Sequence, residues 1–159
     1  MDLNELLRQV IAEAKAVKIP VSDKISPQVV INRRAKTRVG CCKKTGGGFV
    51  IELSERVVEA GETACKTVLA HEILHSCYGC MNHGVRWKSC AAKMKEAYGY
   101  DISRTTQSDE LGVEKDYPVR YRFRCQSCGA IVERMRKSRF VENYKQYRCR
   151  CGGRLEKAD

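Results

Sequence analysis

Three histidines within one short stretch carry the most specific chemistry in the chain. His71 and His75 enclose Glu72 in the pattern H-E-x-x-H, and His83 follows shortly after. On a helix, residues four apart share one face about 6 Å apart, so both imidazoles can reach one zinc ion at ~2.0–2.1 Å. Glu72 lies one step round the helix and is placed to take a proton from a metal-bound water. The pattern predicts a catalytic zinc site with one open coordination position.

The third ligand of this site has more than one candidate. His83 is the only other histidine in the chain, and an Asp or Glu is the alternative. The metzincin arrangement is excluded, because it requires a glycine and a histidine where this chain has Tyr78 and Met81. A histidine pair that binds no metal is the remaining reading of the pattern.

Four cysteines in the C-terminal part predict a second and different zinc site. Cys125 and Cys128 are followed, after a hairpin-sized span, by Cys149 and Cys151, which is the spacing of a zinc ribbon. Four thiolates close the coordination shell, so this ion is expected to stabilise the fold and take no part in catalysis. The second pair has one intervening residue instead of the usual two.

Six further cysteines lie outside the ribbon. Cys77 and Cys80 form another C-x-x-C pair, but no second pair follows at ribbon spacing. Buried apolar packing is therefore the expected role of the six, which are Cys41, Cys42, Cys65, Cys77, Cys80 and Cys90. The N-terminal residues do not resemble a secretory signal, and so many cysteines without one favour metal binding in a reducing compartment. We expect a cytoplasmic protein, nucleoid-associated or nuclear if it binds DNA.

Charge is concentrated in the same C-terminal part. The chain carries a net charge of +11, and the stretch from Lys115 to Asp159 holds 13 basic and 5 acidic residues. Cations interleaved with aromatic residues favour a nucleic-acid partner, with single-stranded DNA preferred. The alternative is that the cations only solvate the surface and the aromatic rings form a small core. The candidate contacts are Arg122, Arg124, Arg134, Arg136, Lys137, Arg139, Lys145 and Arg148.

The surrounding elements predict an α+β fold. Apolar residues recur at helical intervals from Asp2 to Val17, and Asp2 is the expected N-cap. The runs 28–32 and 49–53, with a further strand near 37–42, predict a small antiparallel hairpin or meander. The strand at 49–53 is expected to offer its edge to an extended peptide.

The catalytic residues are expected on two helices. Thr63 to Tyr78 reads as the helix that carries H-E-x-x-H, and a second helix places Trp87 against it before ending at Gly99. We predict a zincin domain at 1–99, a linker at 100–119 and a zinc ribbon at 120–159. No apolar run approaches the ~20 residues of a membrane span.

The motifs together resemble a known family. His71-Glu72-x-x-His75, followed by His83-Gly84-Val85-Arg86-Trp87, resembles the SprT-like metalloprotease domain, whose eukaryotic relatives are called Spartan. The resemblance covers roughly residues 25–155, including the hairpin upstream and the ribbon downstream. It implies that His71, His75 and His83 bind the catalytic zinc and that Glu72 is the general base.

The resemblance also implies an activity, a zinc-dependent endopeptidase that acts on DNA-bound or DNA-crosslinked proteins. DNA would recruit or activate the enzyme, and one catalytic and one structural Zn²⁺ would be bound. Two alternatives stay open. The first is a zincin protease that cleaves one regulatory protein without DNA. The second is a non-catalytic nucleic-acid-binding protein whose histidine site is structural.

Overall fold

The computed structural model of the 159-residue chain describes residues 1–103 and 118–158. The chain divides into two compact units, Met1–Lys115 and Asp116–Asp159. Most of the predicted linker at 100–119 lies outside the described residues, so its extent stays a prediction. Tyr100 is part of the first unit, because it is buried and its hydroxyl donates to the Glu13 carboxylate at 2.6 Å.

The first unit begins with the predicted amphipathic helix. Helix α1 spans Leu3–Ala16, and the Asp2 side chain accepts hydrogen bonds from the backbone N–H groups of the first turn. This satisfies donors that have no partner within the helix. One stripe of α1 is buried against the core, and it consists of Leu6, Leu7, Val10 and Ala14.

A three-stranded sheet follows, and one of its pairings differs from the prediction. Strands β2 (Gly40–Thr45) and β3 (Gly48–Ser54) form the expected antiparallel hairpin, whereas β1 (Val30–Asn32) runs parallel to β3. The tight turn holds β2 against one edge of β3, so β1 occupies the other edge. The strand order is β1-β3-β2. The α+β class is confirmed.

This order corrects the expected peptide-binding edge. The run 49–53 lies in β3, which is the central strand, so both of its edges are already hydrogen-bonded. The free edges belong to β1 and β2, and of these two strands β2 packs against the helix that carries the histidines.

Three helices complete the first unit. Helix α2 (Glu55–Glu59) is capped by Ser54, α3 spans Glu62–Leu74, and α4 spans Val85–Tyr98. Helix α3 ends four residues before the predicted Tyr78, because the N–H groups of the next three residues bond to carbonyls three positions back and tighten the last turn. Helix α4 ends as predicted, at Gly99 in the left-handed conformation.

The second unit is small and is built around one aromatic ring. Its sheet has the order β5-β4-β6, with β4 at Tyr121–Cys125, β5 at Ile131–Arg134 and β6 at Leu155–Ala158. A short helix, α5, spans Arg139–Glu142. Phe123 is fully buried. Its ring centroid lies 5.2 Å from that of Phe140 and 4.9 Å from that of Tyr144. Across the described parts of both units, no helix is long and apolar enough to cross a membrane.

Candidate metal centres

The fold brings the three histidines to one point. His71 lies in the last turn of α3, His75 caps its C-terminus, and His83 follows in the loop that leads to α4. The Nε2 atom of His71 lies 3.3 Å from that of His75 and 3.1 Å from that of His83. Tetrahedral bonds of ~2.0–2.1 Å place ligand nitrogens ~3.3 Å apart. The donor set therefore fits a zinc ion that takes three protein ligands.

His75 is oriented by the loop that follows α3. Its Nδ1 atom lies 2.7 Å from the backbone carbonyl oxygen of Cys80, which can only accept a hydrogen bond. The proton is therefore on Nδ1, and Nε2 keeps its lone pair for the metal. A second-shell partner of this kind fixes both the ring and its tautomer. The spacing of the motif did not reveal this contact.

Trp87 forms a wall that all three imidazoles touch. It is buried as predicted, with 1% of its surface exposed. Its ring centroid lies 4.8 Å from that of His71, 5.8 Å from that of His75 and 4.6 Å from that of His83. The indole thus restricts the rotation of the ligands as well as filling the core between α3 and α4.

The site favours uncharged imidazole at His71. Burial, followed by the neighbouring His75 and His83, lowers the pKa of His71 to about 4, although the backbone of Ser103 acts in the opposite direction. A metal ligand must be neutral imidazole. At neutral pH this side chain is therefore already in the form that binds a cation.

Glu72 lies beside the histidines as a buried carboxyl group. Burial raises its pKa to about 7, while the backbone N–H of Cys42 and the charge of Arg38 act to lower it. The backbone of β2 comes so close to this helix that a Cβ atom on Gly40 would lie 2.8 Å from Glu72 Oε1 and 2.5 Å from Val68 Cγ1. Only glycine fits there without a shift of the carboxylate. Neither Gly40 nor Cys42 was identified from sequence as part of the site.

The four ribbon cysteines also converge. The Sγ atoms of Cys125 and Cys151 are 3.5 Å apart, those of Cys128 and Cys149 are 3.6 Å apart, and all four lie within 4.8 Å of one another. Tetrahedral Zn–S bonds of ~2.3 Å place sulfurs ~3.8 Å apart. This donor set fits a closed zinc site in spite of the single residue between the second pair.

The turns that hold these cysteines depend on glycine. Gly129 and Gly152 have positive φ angles of 72° and 84°, as their positions after the two pairs suggested. A Cβ atom on Gly153 would lie 2.5 Å from Cys125 Sγ.

The backbone N–H of Cys128 lowers the pKa of the Cys125 thiol. The pKa of Cys128 is raised: the backbone N–H of Ala130 acts to lower it, but hydrogen bonds with Cys151, Cys149 and Cys125 outweigh that effect. Cys125 is therefore favoured over Cys128 as the thiolate that a metal requires.

The side chains of the other six cysteines belong to neither group of metal-ligating side chains. Cys65, Cys77 and Cys80 are buried, whereas Cys41, Cys42 and Cys90 are partly exposed. Within residues 1–103 and 118–158, the histidine and cysteine sets are the two groups of side chains close enough to hold a metal ion. Burial raises the pKa of Cys77 to about 12, which favours an inert thiol.

The eight side chains predicted to contact DNA differ in whether other groups of the ribbon already interact with them. Three of them form ion pairs within the ribbon, and a fourth, Arg134, lies over the ring of Phe140. The three pairs are Arg122–Glu133, Arg124–Glu156 and Lys137–Glu142. For Arg136, Arg139, Lys145 and Arg148, the described part of the chain supplies no carboxylate at ion-pair distance.

Comparison with known proteins gives one match. The model of the SprT-like family matches residues 6–108, which include all three histidines and Glu72. The match ends before the cysteine cluster. No curated protein matches the chain.

Proposed function

The chain belongs to the SprT-like family, a membership that suggests a zinc protease-type function, and we propose that it is a zinc-dependent endopeptidase acting on proteins bound or crosslinked to DNA. The convergence of three imidazole nitrogens beside a buried carboxyl group carries the proposal. Three ligands leave a fourth position for water or substrate.

The residues of the site would have two different roles in peptide hydrolysis, which are metal binding and proton transfer. His71, His75 and His83 would hold the ion, which supplies a Lewis acid and a water of lowered pKa. Glu72 accepts a proton from the attacking water and donates it to the leaving nitrogen. Because burial raises the pKa of Glu72 to about 7, this carboxyl group exchanges a proton readily near neutral pH.

The free edge of β2 is the place for the substrate backbone. Gly40 and Cys42 lie on this strand, opposite the end of α3 that carries Glu72. A peptide that adds to the edge as a further strand is held through its backbone, so varied side chains are tolerated. This mode suits an enzyme that must cleave many different proteins.

The basic ribbon supports the DNA part of the proposal. Most of the net positive charge lies in the second unit, and cations on a small module provide affinity for phosphates. Single-stranded DNA would recruit the enzyme to proteins on the same strand, which raises their effective concentration at the active site.

The proposal is tested by cleavage of a DNA-binding protein by the zinc-loaded full chain, with and without single-stranded DNA. Glu72→Gln is the test variant and Glu62→Gln is its matched control, since Glu62 is exposed on the same helix and paired with Lys66. We expect Glu72→Gln to lower the cleavage rate about 10²- to 10⁴-fold, with zinc content unchanged, and Glu62→Gln to retain it.

The outcomes separate the alternatives. Cleavage that requires both Glu72 and DNA supports the proposal. Cleavage that requires Glu72 but ignores DNA indicates a protease for a specific regulator. No cleavage under any condition, with both sites loaded with zinc, would leave a nucleic-acid-binding protein.

A further inference from the structure

Two arginines in the ribbon lie directly opposite each other. Arg148 and Arg154 form an antiparallel bridge outside the named strands, so their side chains start about 5 Å apart. Like charges directly opposite each other destabilise a strand pair. No carboxylate of residues 118–158 lies within ion-pair distance of either one. The arrangement therefore favours an anion from outside the chain.

The pair borders a cleft of about 310 Å³ whose lining includes both guanidinium groups. Lys145 adds a third cation, and Tyr144 and Gln126 supply a hydroxyl and an amide. The one acid there, Glu156, accepts a hydrogen bond from Gln126 at 3.1 Å and faces Arg124 at 3.6 Å. Its charge is thus directed at partners other than the arginine pair.

Arg148 is held in place before any ligand arrives. Its Nη1 atom donates to the backbone carbonyls of Lys145 at 2.9 Å and Tyr147 at 3.1 Å. These bonds leave Nε and Nη2 to bind an oxyanion through two donors. A guanidinium already fixed loses less side-chain entropy on binding.

We propose that this cleft is the primary phosphate-binding site of the ribbon, and that Arg148, Arg154 and Lys145 there hold the backbone of a single-stranded nucleic acid. This inference rests on the nucleic-acid part of the proposed function and assigns it to one surface. A concave site of this size admits one unpaired nucleotide, and the lining residues Tyr144 and Gln126 offer a hydroxyl and an amide oxygen to its base. Arg154 was absent from the contacts predicted by sequence.

A zinc ion bound by the ribbon cysteines would also fix the geometry of this cleft. Arg148 and Arg154 flank the turn that contains Cys149 and Cys151, and Cys149 N–H donates to the Gly153 carbonyl at 3.0 Å. The turn holds two of the four zinc ligands, so an ion there fixes the spacing of the two guanidinium groups. Removal of the ribbon zinc is expected to weaken phosphate binding as well as the fold.

The test is the affinity of the zinc-loaded full chain for a fluorescently labelled single-stranded oligonucleotide, measured by anisotropy over a range of salt concentrations. The double variant Arg148→Gln/Arg154→Gln is compared with Arg120→Gln/Arg150→Gln, which removes two exposed ribbon cations outside this cleft. We expect the first variant to bind at least about tenfold more weakly, with a salt slope shallower by about 1.4. The second is expected to change affinity by less than about threefold, and both should retain their zinc.

Each other result contradicts a different statement. Equal losses in the two double variants would mean that diffuse charge binds the strand, and the cleft assignment would be wrong while the DNA-linked protease stands. An equal effect on a duplex of the same sequence would overturn the preference for an unpaired strand. If the wild-type chain binds no oligonucleotide even at low salt, the DNA part of the proposed function fails, whereas Glu72-dependent cleavage of a DNA-free protein would still establish the peptidase.

Discussion

The two candidate metal centres differ in the number of ligands that they offer to a metal ion. The histidine site offers three ligands and contains the buried Glu72 next to His71 in sequence, whereas the cysteine site offers four ligands. An open coordination position permits catalysis, and a closed shell permits only stabilisation. On this rule the histidine site is the candidate for catalysis and the cysteine site is the candidate for a structural role.

The two centres also differ in what holds them together. Trp87 and the buried face of α3 surround His71 and His75 with a core made of apolar side chains. The ribbon has little more than Phe123 and a few neighbours, and two of its four cysteines are exposed. Such a small core does not sustain a fold without a metal or a disulfide. The first site is expected to be preformed, and the second to form with its ion.

The largest effects are expected when one metal ligand is removed from each site. We expect His83→Ala to abolish cleavage of a DNA-free protein while the first unit stays folded, because the core does not depend on the ion. Cys149→Ser is expected to leave that cleavage intact but to unfold the ribbon, since structural zinc contributes folding energy directly. Each variant should lose one of the two zinc ions.

Hydrogen exchange and zinc content check both variants. The amides of β4 should lose protection in Cys149→Ser and keep it in His83→Ala, and those of α3 should stay protected in both. Loss of protection throughout α3 in His83→Ala would show that the ion at the histidine site also holds the first unit together, and that this site is not preformed.

Sequence predicted the parts of each site that lie close together along the chain. The four-residue step from His71 to His75 implies one helix face, and the cysteine spacing implies a hairpin. Contacts between distant segments carry no such signal. The approach of Gly40 to Glu72, the carbonyl of Cys80 behind His75, and the pairing of β1 with β3 all depend on tertiary packing.

The strand edge expected to bind a peptide also could not be identified from local sequence. The apolar and β-branched residues of the run 49–53 predicted a strand, but no local pattern states which side of a strand is already paired. Its central position follows from the tight turn at Gly46 and from the parallel addition of β1. The strand edge proposed for a peptide substrate therefore belongs to β2 and not to β3.

A smaller effect is expected at the contact between β2 and α3. In Gly40→Ala, the new methyl group would crowd Glu72 and Val68, and an error of about 1 Å in a catalytic group can cost about 10²-fold in rate. We expect the cleavage rate to fall about 10- to 100-fold, with both zinc ions retained. Gly46→Ala is the matched control, because nothing lies within 4 Å of a Cβ atom at that turn.

Steady-state cleavage and zinc content distinguish displacement of the carboxylate from damage to the metal site. A rate loss that accompanies loss of zinc would place the fault in the ligands. A wild-type rate in Gly40→Ala would mean that the helix and strand separate without disturbing Glu72, and the close approach would then have no catalytic role.

The smallest expected effect concerns a second buried carboxylate, which the fold treats in the opposite way from Glu72. Burial would raise the pKa of Glu52, but hydrogen bonds from Lys43 and Asn32 and the charges of Lys43 and Arg38 hold it below its usual value. Its folded pKa is thus lower than its unfolded pKa. The stabilisation it gives is present above about pH 4.5 and is lost as the pH falls through the folded pKa. We expect Glu52→Gln to lower the free energy of unfolding by about 1 kcal/mol at pH 7.

At pH 7, chemical denaturation of the zinc-loaded chain measures this difference. Acid protonates the ligands and releases zinc, so from pH 7 to pH 3 wild type and Glu52→Gln are compared as zinc-free chains through the fluorescence of Trp87, the single tryptophan of the chain. The wild-type advantage over Glu52→Gln should shrink as the solution becomes acidic, whereas Glu133→Gln, which removes the partly exposed pair with Arg122 in the ribbon, should cost less than about 0.5 kcal/mol. A pH-independent gap would mean that Glu52 acts through packing and not through its charge. A gap that closes in acid would show that the hydrogen bonds and charges around Glu52 keep this buried carboxylate ionised, in contrast to Glu72, whose pKa burial raises.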